Sequence, residues 1–350
     1  MRSALLLSIC LVCPVAAIAQ TVTADPAATP PGFTAQVSAT QPRTPPPPRA
    51  DVMRRRPSMV GYIEDAVIGS RVRLRFDAGF HNSVPDRAEF FYAKCGCFRD
   101  LSPSLPVFDP DAAGPGPGVT TDVNFQQLYL EAEYGLGSRL SVFGTVPVRW
   151  LQPQVFVPDI EGRFGTFGNH AGFSDIRAGM KFGLSAGDTH AVTAQVQAYL
   201  PTGDSLKGLG TNHATIEPAL LYFQRVSDRV AFESEVGAWL PTSGSPGVPT
   251  ASSDKFSGNV LFYGVGPSVT LVSTPAFQFT PVVELVGWRV LSGYQTAAVL
   301  DASDTNIVNL KIGTRLGFGE QSSVYVGYGF ALTDADWYDD ILRLEYRIDF

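Results

Sequence analysis

The last nine residues of the chain, Leu342 to Phe350, alternate without a break, and no other stretch constrains the fold as much. Leu342, Leu344, Tyr346, Ile348 and Phe350 fall on one side, and Arg343, Glu345, Arg347 and Asp349 on the other. A strand has a side-chain period of 2, so this segment carries one wholly apolar face and one wholly charged face. A soluble sheet seldom ends a chain on a bare aromatic carboxylate. A strand of a membrane barrel needs this division, with lipid outside and a polar lumen inside.

The pattern recurs along the chain. Arg71, Arg73, Arg75 and Asp77 interleave with Val72, Leu74, Phe76, Ala78 and Phe80. Similar segments occupy 70–80, 124–134, 139–150, 173–184, 190–200, 213–225, 229–240, 258–271, 277–290, 305–318, 323–332 and 338–350. Each is at or somewhat above the ~9–11 residues a tilted strand needs to cross the hydrocarbon. Tight-turn residues such as Gly135-Leu136-Gly137 and Val226-Ser227-Asp228 join alternate pairs. The other links are longer: 81–123, 151–172, 201–212, 241–257, 291–304 and 333–337. The expectation is an all-β fold, a transmembrane antiparallel up-and-down barrel of about twelve strands, with short periplasmic turns and long external loops.

Composition agrees. Charged residues make up 17 % of the chain, below the ~25 % of ordinary globular proteins. A surface facing lipid needs fewer charges than one facing water. Past the N-terminal leader no apolar run reaches ~18 residues, so a helical membrane protein is excluded. The net charge of −7 leaves no nucleic-acid footprint.

Three parts are expected. Residues 1–19 have the positive start, apolar core and small residues (Ala17, Ala19) of a secretory signal peptide. Residues 20–57 are rich in Pro, Ala and Thr, cannot bury a core, and read as a disordered periplasmic segment. Residues 58–350 form the outer-membrane barrel.

The central stretch resembles a known family. Gly172-Phe173-Ser174-Asp175-Ile176, Leu200-Pro201-Thr202-Gly203-Asp204, Gly208-Leu209-Gly210-Thr211 and Glu217-Pro218-Ala219-Leu220-Leu221-Tyr222 are similar to the outer-membrane family of meta-pathway phenol-degradation or transporter proteins. The resemblance implies a monomeric barrel of about a dozen strands that passes small hydrophobic or aromatic compounds. The terminal strand, with Phe350, Ile348 and Tyr346, also resembles the C-terminal signal by which bacterial outer-membrane proteins reach their barrel assembly machinery.

Little in the chain suggests catalysis. His81-Asn82-Ser83 is similar to the His-x-Ser of the outer-membrane phospholipase but lacks the third polar group that would orient the His. Cys95 and Cys97 favour a disulfide in an oxidising envelope, with an intermolecular bond or free thiols as alternatives. Gly208-x-Gly210 and Gly264-x-Gly266 lack the strand-to-helix context of a phosphate cradle and read as bulges or clearance for inward aromatics. Asp301/Asp304 and Asp334/Asp336 read as solvated loop acids rather than a calcium site. No metal and no cofactor is expected, and no enzyme activity.

The informative set is the face that alternation turns inward. It holds Arg71, Arg73, Arg75 and Asp77, then Glu131 and Glu133, Arg149, Asp175, Arg177 and Lys181. Glu233, Glu235, Glu284, Lys311, Arg315, Arg343, Glu345 and Arg347 complete it. As pore-lining groups they would form a basic wall of strands 1 and 12 facing Glu233 and Glu235 across water. Paired with one another, they would close the lumen. Trp239 and Trp288 share the inward phase and would narrow the pore mouth, while Trp150 would face lipid. The function expected is passive passage of small solutes through a charge-lined lumen, by a monomer whose other partner is outer-membrane lipid. The alternative is a closed structural barrel that anchors the periplasmic arm or displays external loops.

Overall fold

The computed structural model describes residues 58–84, 104, 120–157, 168–242, 257–295 and 300–350. The expected leader, the Pro-rich stretch over 20–57, and Cys95 and Cys97 lie outside the described residues.

Twelve strands make the wall. They are β1 (Arg71–Asn82), β2 (Thr120–Gly135), β3 (Leu140–Val157), β4 (Ile176–Ala186), β5 (His190–Leu200) and β6 (Thr215–Arg225). There follow β7 (Val230–Pro241), β8 (Val260–Val269), β9 (Phe277–Val290), β10 (Asn306–Phe318), β11 (Ser322–Ala331) and β12 (Asp340–Asp349). Each pairs antiparallel with its neighbours in sequence, and β1 pairs with β12 from Arg71↔Asp349 to Phe80↔Asp340. The sheet therefore closes on itself and leaves no edge. Its strand bounds follow the sequence periodicity closely, except that β2 and β3 run on together beyond the expected ends.

The side chains are distributed inside out. On β12 Leu344 is 40 % exposed while Arg347 is 1 % exposed. Leu74, Leu130, Met180, Val236, Val283, Ile312 and Tyr346 share the exposed outer face. Arg73, Glu131, Lys181, Glu233, Glu284 and Lys311 are buried within. A water-soluble sheet would reverse this; a lipid-facing barrel requires it.

The lumen is not filled by wall side chains alone. Residues Ser58 to Ser70, ahead of β1, lie inside the barrel, with Met59, Val60, Ile63, Ala66 and Val67 buried. Both ends of this segment sit at the short-turn end of the barrel. The Ser58 carbonyl accepts from Arg347 near the close of β12, and Ser70 receives the N–H groups of Gly135 and Phe350. Its crest is near Tyr62, since Arg343, four residues higher on β12 than Arg347, donates to the Gly61 carbonyl at 2.7 Å. The segment thus rises, turns and returns within the lower lumen.

Glycines make the room. A Cβ on Gly264 would come within 2.9 Å of Ile63, and one on Gly266 within 2.8 Å of Val60. Tyr325 lies across Gly61, Gly313 and Gly327, each too close for any side chain to replace hydrogen there. Gly264-x-Gly266 is therefore clearance for Ile63 and Val60 of the inner segment, in place of the expected aromatic.

Candidate functional site: the lumen and its inner segment

An extended or turning chain buried in a barrel must find partners for its own N–H and C=O groups. Here the wall supplies them. Glu233 Oε1 accepts from the N–H groups of Met59 at 2.9 Å and Val60 at 3.4 Å. Glu284 accepts from Gly61, Tyr62 and Ile63 at 3.1, 2.8 and 2.9 Å, and Glu235 from Glu64 at 3.0 Å. The carbonyls of Met59 and Val60 accept from Arg315, and that of Asp65 from Lys181. The Ala66 carbonyl accepts from Thr193 Oγ1 at 2.6 Å. Consecutive amides from Met59 to Glu64 are read almost entirely through the backbone.

This corrects the expected layout. Glu233 and Glu235 do not face a basic wall across water, because the inner segment stands between. The cations pair with acids on the adjacent strand, as Arg73 does with Glu131, or one strand further on, as Lys181 does with Glu133 at 3.1 Å and Arg315 with Glu345 at 2.9 Å. Arg343 grips Asp77 with two hydrogen bonds of 2.7 and 2.6 Å, and Arg71 pairs with Asp65 of the segment itself. Arg75 is held more loosely, 3.4 Å from Glu131 and 3.9 Å from Glu345. Directly opposed registers such as Arg73↔Glu131 and Asp77↔Arg343 put these charges side by side. Lys311 donates to Tyr338 at 2.9 Å and lies over the rings of Tyr62 and Tyr338.

Above the crest lies a cavity of about 260 Å³. Its floor is Tyr62 and Glu64, and its walls include Arg75, Gln127, Tyr129, Arg177, Tyr199 and Glu217. The Arg177 guanidinium lies over two rings, 4.6 Å from the Tyr199 centroid and 5.4 Å from that of Tyr129. Glu217 accepts from Gln197, Tyr199 and Trp239 at 2.5, 2.5 and 2.9 Å. Trp239 stacks on Trp337 at 5.4 Å, and Trp337 meets Trp288 at 4.9 Å. Trp239 and Trp288 thus point inward as their phase requires. Trp337, from the loop between β11 and β12, joins them in a cluster that narrows the outer end.

One external loop is folded back onto this site. Asp175 accepts from the N–H of Gly203 at 3.0 Å and from both the N–H and hydroxyl of Thr211 at 2.9 Å. Thr202 Oγ1 accepts from Ile176 N–H and donates to the Ser174 carbonyl. Arg149 donates to Gln127 at 2.9 Å and to the Gly208 carbonyl at 3.3 Å. Leu209 is buried among Val123, Phe125 and Leu151. Gly208 adopts φ +70° behind the Ser205–Lys207 turn, and Gly210 lies against Asp175 and Gly203. Asp175, expected to line the pore, is placed at the cavity wall and staples the loop. His213, beside that staple, is held below the usual imidazole range by burial.

The remaining motifs fall away from the lumen. His81 is exposed and contacts Asp122 at 3.1 Å. Asp304 pairs with Arg289, and Asp301 accepts from the Ser303 N–H. Among the described residues no group of His, Cys, Asp and Glu is arranged to hold a metal. Sequence reading missed the inner segment, Tyr129, Tyr199 and Gln127. The inward glycines at 264 and 266, which leave a groove on β8, were the available signal for the segment.

A family model described as "MetA-pathway of phenol degradation" matches residues 109–336. No curated protein matches the chain. Among solved structures, an outer-membrane channel from Pseudomonas putida F1 shares 16 % identity, with a TM-score of 0.47 over 83 % of this chain and 99 % of that one. The NanC porin shares 9 %, with a TM-score of 0.43 over 81 % and 99 %. The Pseudomonas putida toluene transporter TodX also shares 9 %, with a TM-score of 0.38 over 80 % and 88 %.

Proposed function

The chain belongs to the phenol-degradation family whose model spans its centre, and from that premise we propose an outer-membrane channel for small, ring-bearing solutes whose resting state is closed. The observation that carries this reading is the way the lumen is blocked. Wall carboxylates and guanidinium groups hold the Ser58–Ser70 segment through its backbone, and a polar, aromatic-walled cavity is retained above it. Many individually modest hydrogen bonds, each ~0.5–1.5 kcal/mol net, give a contact that is firm when intact and lost piecewise when pulled. Passage would require the segment to leave the lumen or shift within it. Selection would then come from width and from the field of the inward charges.

The protein would act as a monomer in the outer membrane, reached through the N-terminal signal and the assembly machinery, and would carry out no chemistry on its solute. The inner segment also favours a second reading, a permanently closed barrel that only anchors its periplasmic arm. Conductance of the refolded protein in a planar bilayer separates the two. A channel gives discrete openings whose frequency rises when the segment's contacts are weakened. A barrel that stays silent in every such variant is structural. Unheated and boiled samples should also differ in gel mobility, since a closed barrel has no free edge at which to unzip.

A further inference from the structure

We propose that the cavity above Tyr62 is a binding site for a single-ring aromatic carboxylate, held by Arg177 and Gln127 and stacked against the tryptophan cluster. The proposal deepens the channel reading and rests on it only for the route by which the ligand arrives.

Three observations carry it. The first is Arg177. Its guanidinium lies over the rings of Tyr199 and Tyr129, and among the described residues no carboxylate lies within ion-pair distance. Its Nε, buried, has no hydrogen-bond partner. The planar edge of a guanidinium matches the two oxygens of a carboxylate. The second is Gln127, which is 1 % exposed and lines the same cavity. Its Oε1 is taken by Arg149, so its flip state is set, and its Nε2 is left without an acceptor. A buried donor left unpaired costs about 1–3 kcal/mol, and a ligand oxygen would remove that cost. The third is the state of the neighbouring acid. Glu217 already accepts from Gln197, Tyr199 and Trp239, so it is not available to pair with Arg177 in the ligand's place.

Size and wall chemistry set the remainder of the ligand. A cavity of about 260 Å³ lies just below the ~300–1,000 Å³ usual for small-molecule sites, room for one ring and one substituent. The rings of Trp239 and Trp288 offer flat apolar faces, which favour an aromatic ring over a saturated one of the same width.

The test titrates the refolded full chain with benzoate, with benzyl alcohol and with cyclohexanecarboxylate, following tryptophan fluorescence and binding heat. Benzoate should bind saturably and quench the fluorescence. Cyclohexanecarboxylate should bind more weakly, and benzyl alcohol at least tenfold more weakly. Arg177→Gln should weaken benzoate at least tenfold and leave benzyl alcohol unchanged. Gln127→Glu, which places a negative charge where the acceptor should sit, should do the same, and it keeps the test open if the first variant fails to fold. Each variant is checked by gel mobility before heating. Absence of benzoate binding, or equal loss of benzoate and benzyl alcohol in both variants, would overturn the proposal. Benzoate binding without conductance in any variant would instead overturn the channel and leave this site standing.

Discussion

Ile63 donates its backbone N–H to Glu284 at 2.9 Å across 221 residues of sequence, and Tyr62 donates to the same carboxylate oxygen at 2.8 Å. With Gly61 on the second oxygen, one side chain of the wall holds three successive amides of the inner segment. Tyr325 donates to Glu284 as well, at 2.9 Å, and so fixes the carboxylate from the side. Glu284→Ala would leave those three amides without an acceptor if the segment stayed in place. At ~1–3 kcal/mol for each orphaned group, withdrawal of the segment becomes competitive. The expected result is at least a tenfold rise in open time in planar bilayers, with gel mobility before heating unchanged. Glu284→Gln retains an acceptor oxygen and should fall between. A silent Glu284→Ala protein would show that the segment is not a gate.

The converse experiment locks the segment. Met59 Sδ lies 3.9 Å from Gln278 Nε2, near the short-turn end of β9. Met59→Cys with Gln278→Cys, in a chain whose Cys95 and Cys97 are replaced by Ser, should form a disulfide on oxidation. Conductance should fall to the background when oxidised and return with reductant. Openings that are indifferent to reductant would mean that solute passes beside the segment and not in its place.

How much of this was legible in the sequence depends on what the local pattern can see. Period 2 in Arg71 to Phe80 and in Leu342 to Phe350 set the faces of β1 and β12, and their pairing followed from closure. Most inward charges could be named because alternation assigns a direction to every residue, but Glu217 on β6 was passed over. Alternation says nothing about a partner on another strand, so the Arg343–Asp77 grip and the Arg315–Glu345 pair depended on register. The segment from Ser58 to Ser70 has no period, because its backbone bonds to wall side chains and not to another strand. Only an unusual acceptor supply, three glutamates on β7 and β9, and the glycine groove on β8 hinted at it. Trp337 was legible as a loop residue at a strand end. Its place between Trp239 and Trp288 comes from the loop's fold and no local signal carries that.

The terminal strand gives a prediction about assembly. Phe350 is 70 % exposed, and its N–H donates to the Ser70 carbonyl at 3.0 Å, at the seam where β12 meets β1. Its ring therefore contributes little to the folded lumen, and its value lies in recognition before closure. Deletion of Phe350 should lower the amount of protein in the outer membrane several-fold, measured by membrane fractionation. Deletion of residues 21–50 should leave that amount unchanged, because the segment from Ser58 onward is retained. Equal membrane levels for the intact and Phe350-deleted chains would count against an assembly signal.

A last prediction concerns pH at the outer end. Asp336 precedes Trp337 in the loop between β11 and β12, and burial, then the charge of Asp339 and a hydrogen bond with it, push its carboxyl up to about 6. The folded loop therefore holds a proton that the open loop, with a carboxyl near its ordinary value, has already released. Stability from this group is full below the ordinary carboxylate range and is lost as pH rises through about 6. Deprotonation sets two negative charges beside each other just where Trp337 must stay packed between Trp239 and Trp288. Accessibility of Trp337 to acrylamide should accordingly rise between about pH 5 and pH 7, with the lumen mouth loosening in step. Asp336→Asn carries no charge at either pH and should abolish the change, with quenching kept at its low-pH level throughout. A quenching profile that is flat in the intact chain, or one that persists in Asp336→Asn, would place the control of this mouth elsewhere.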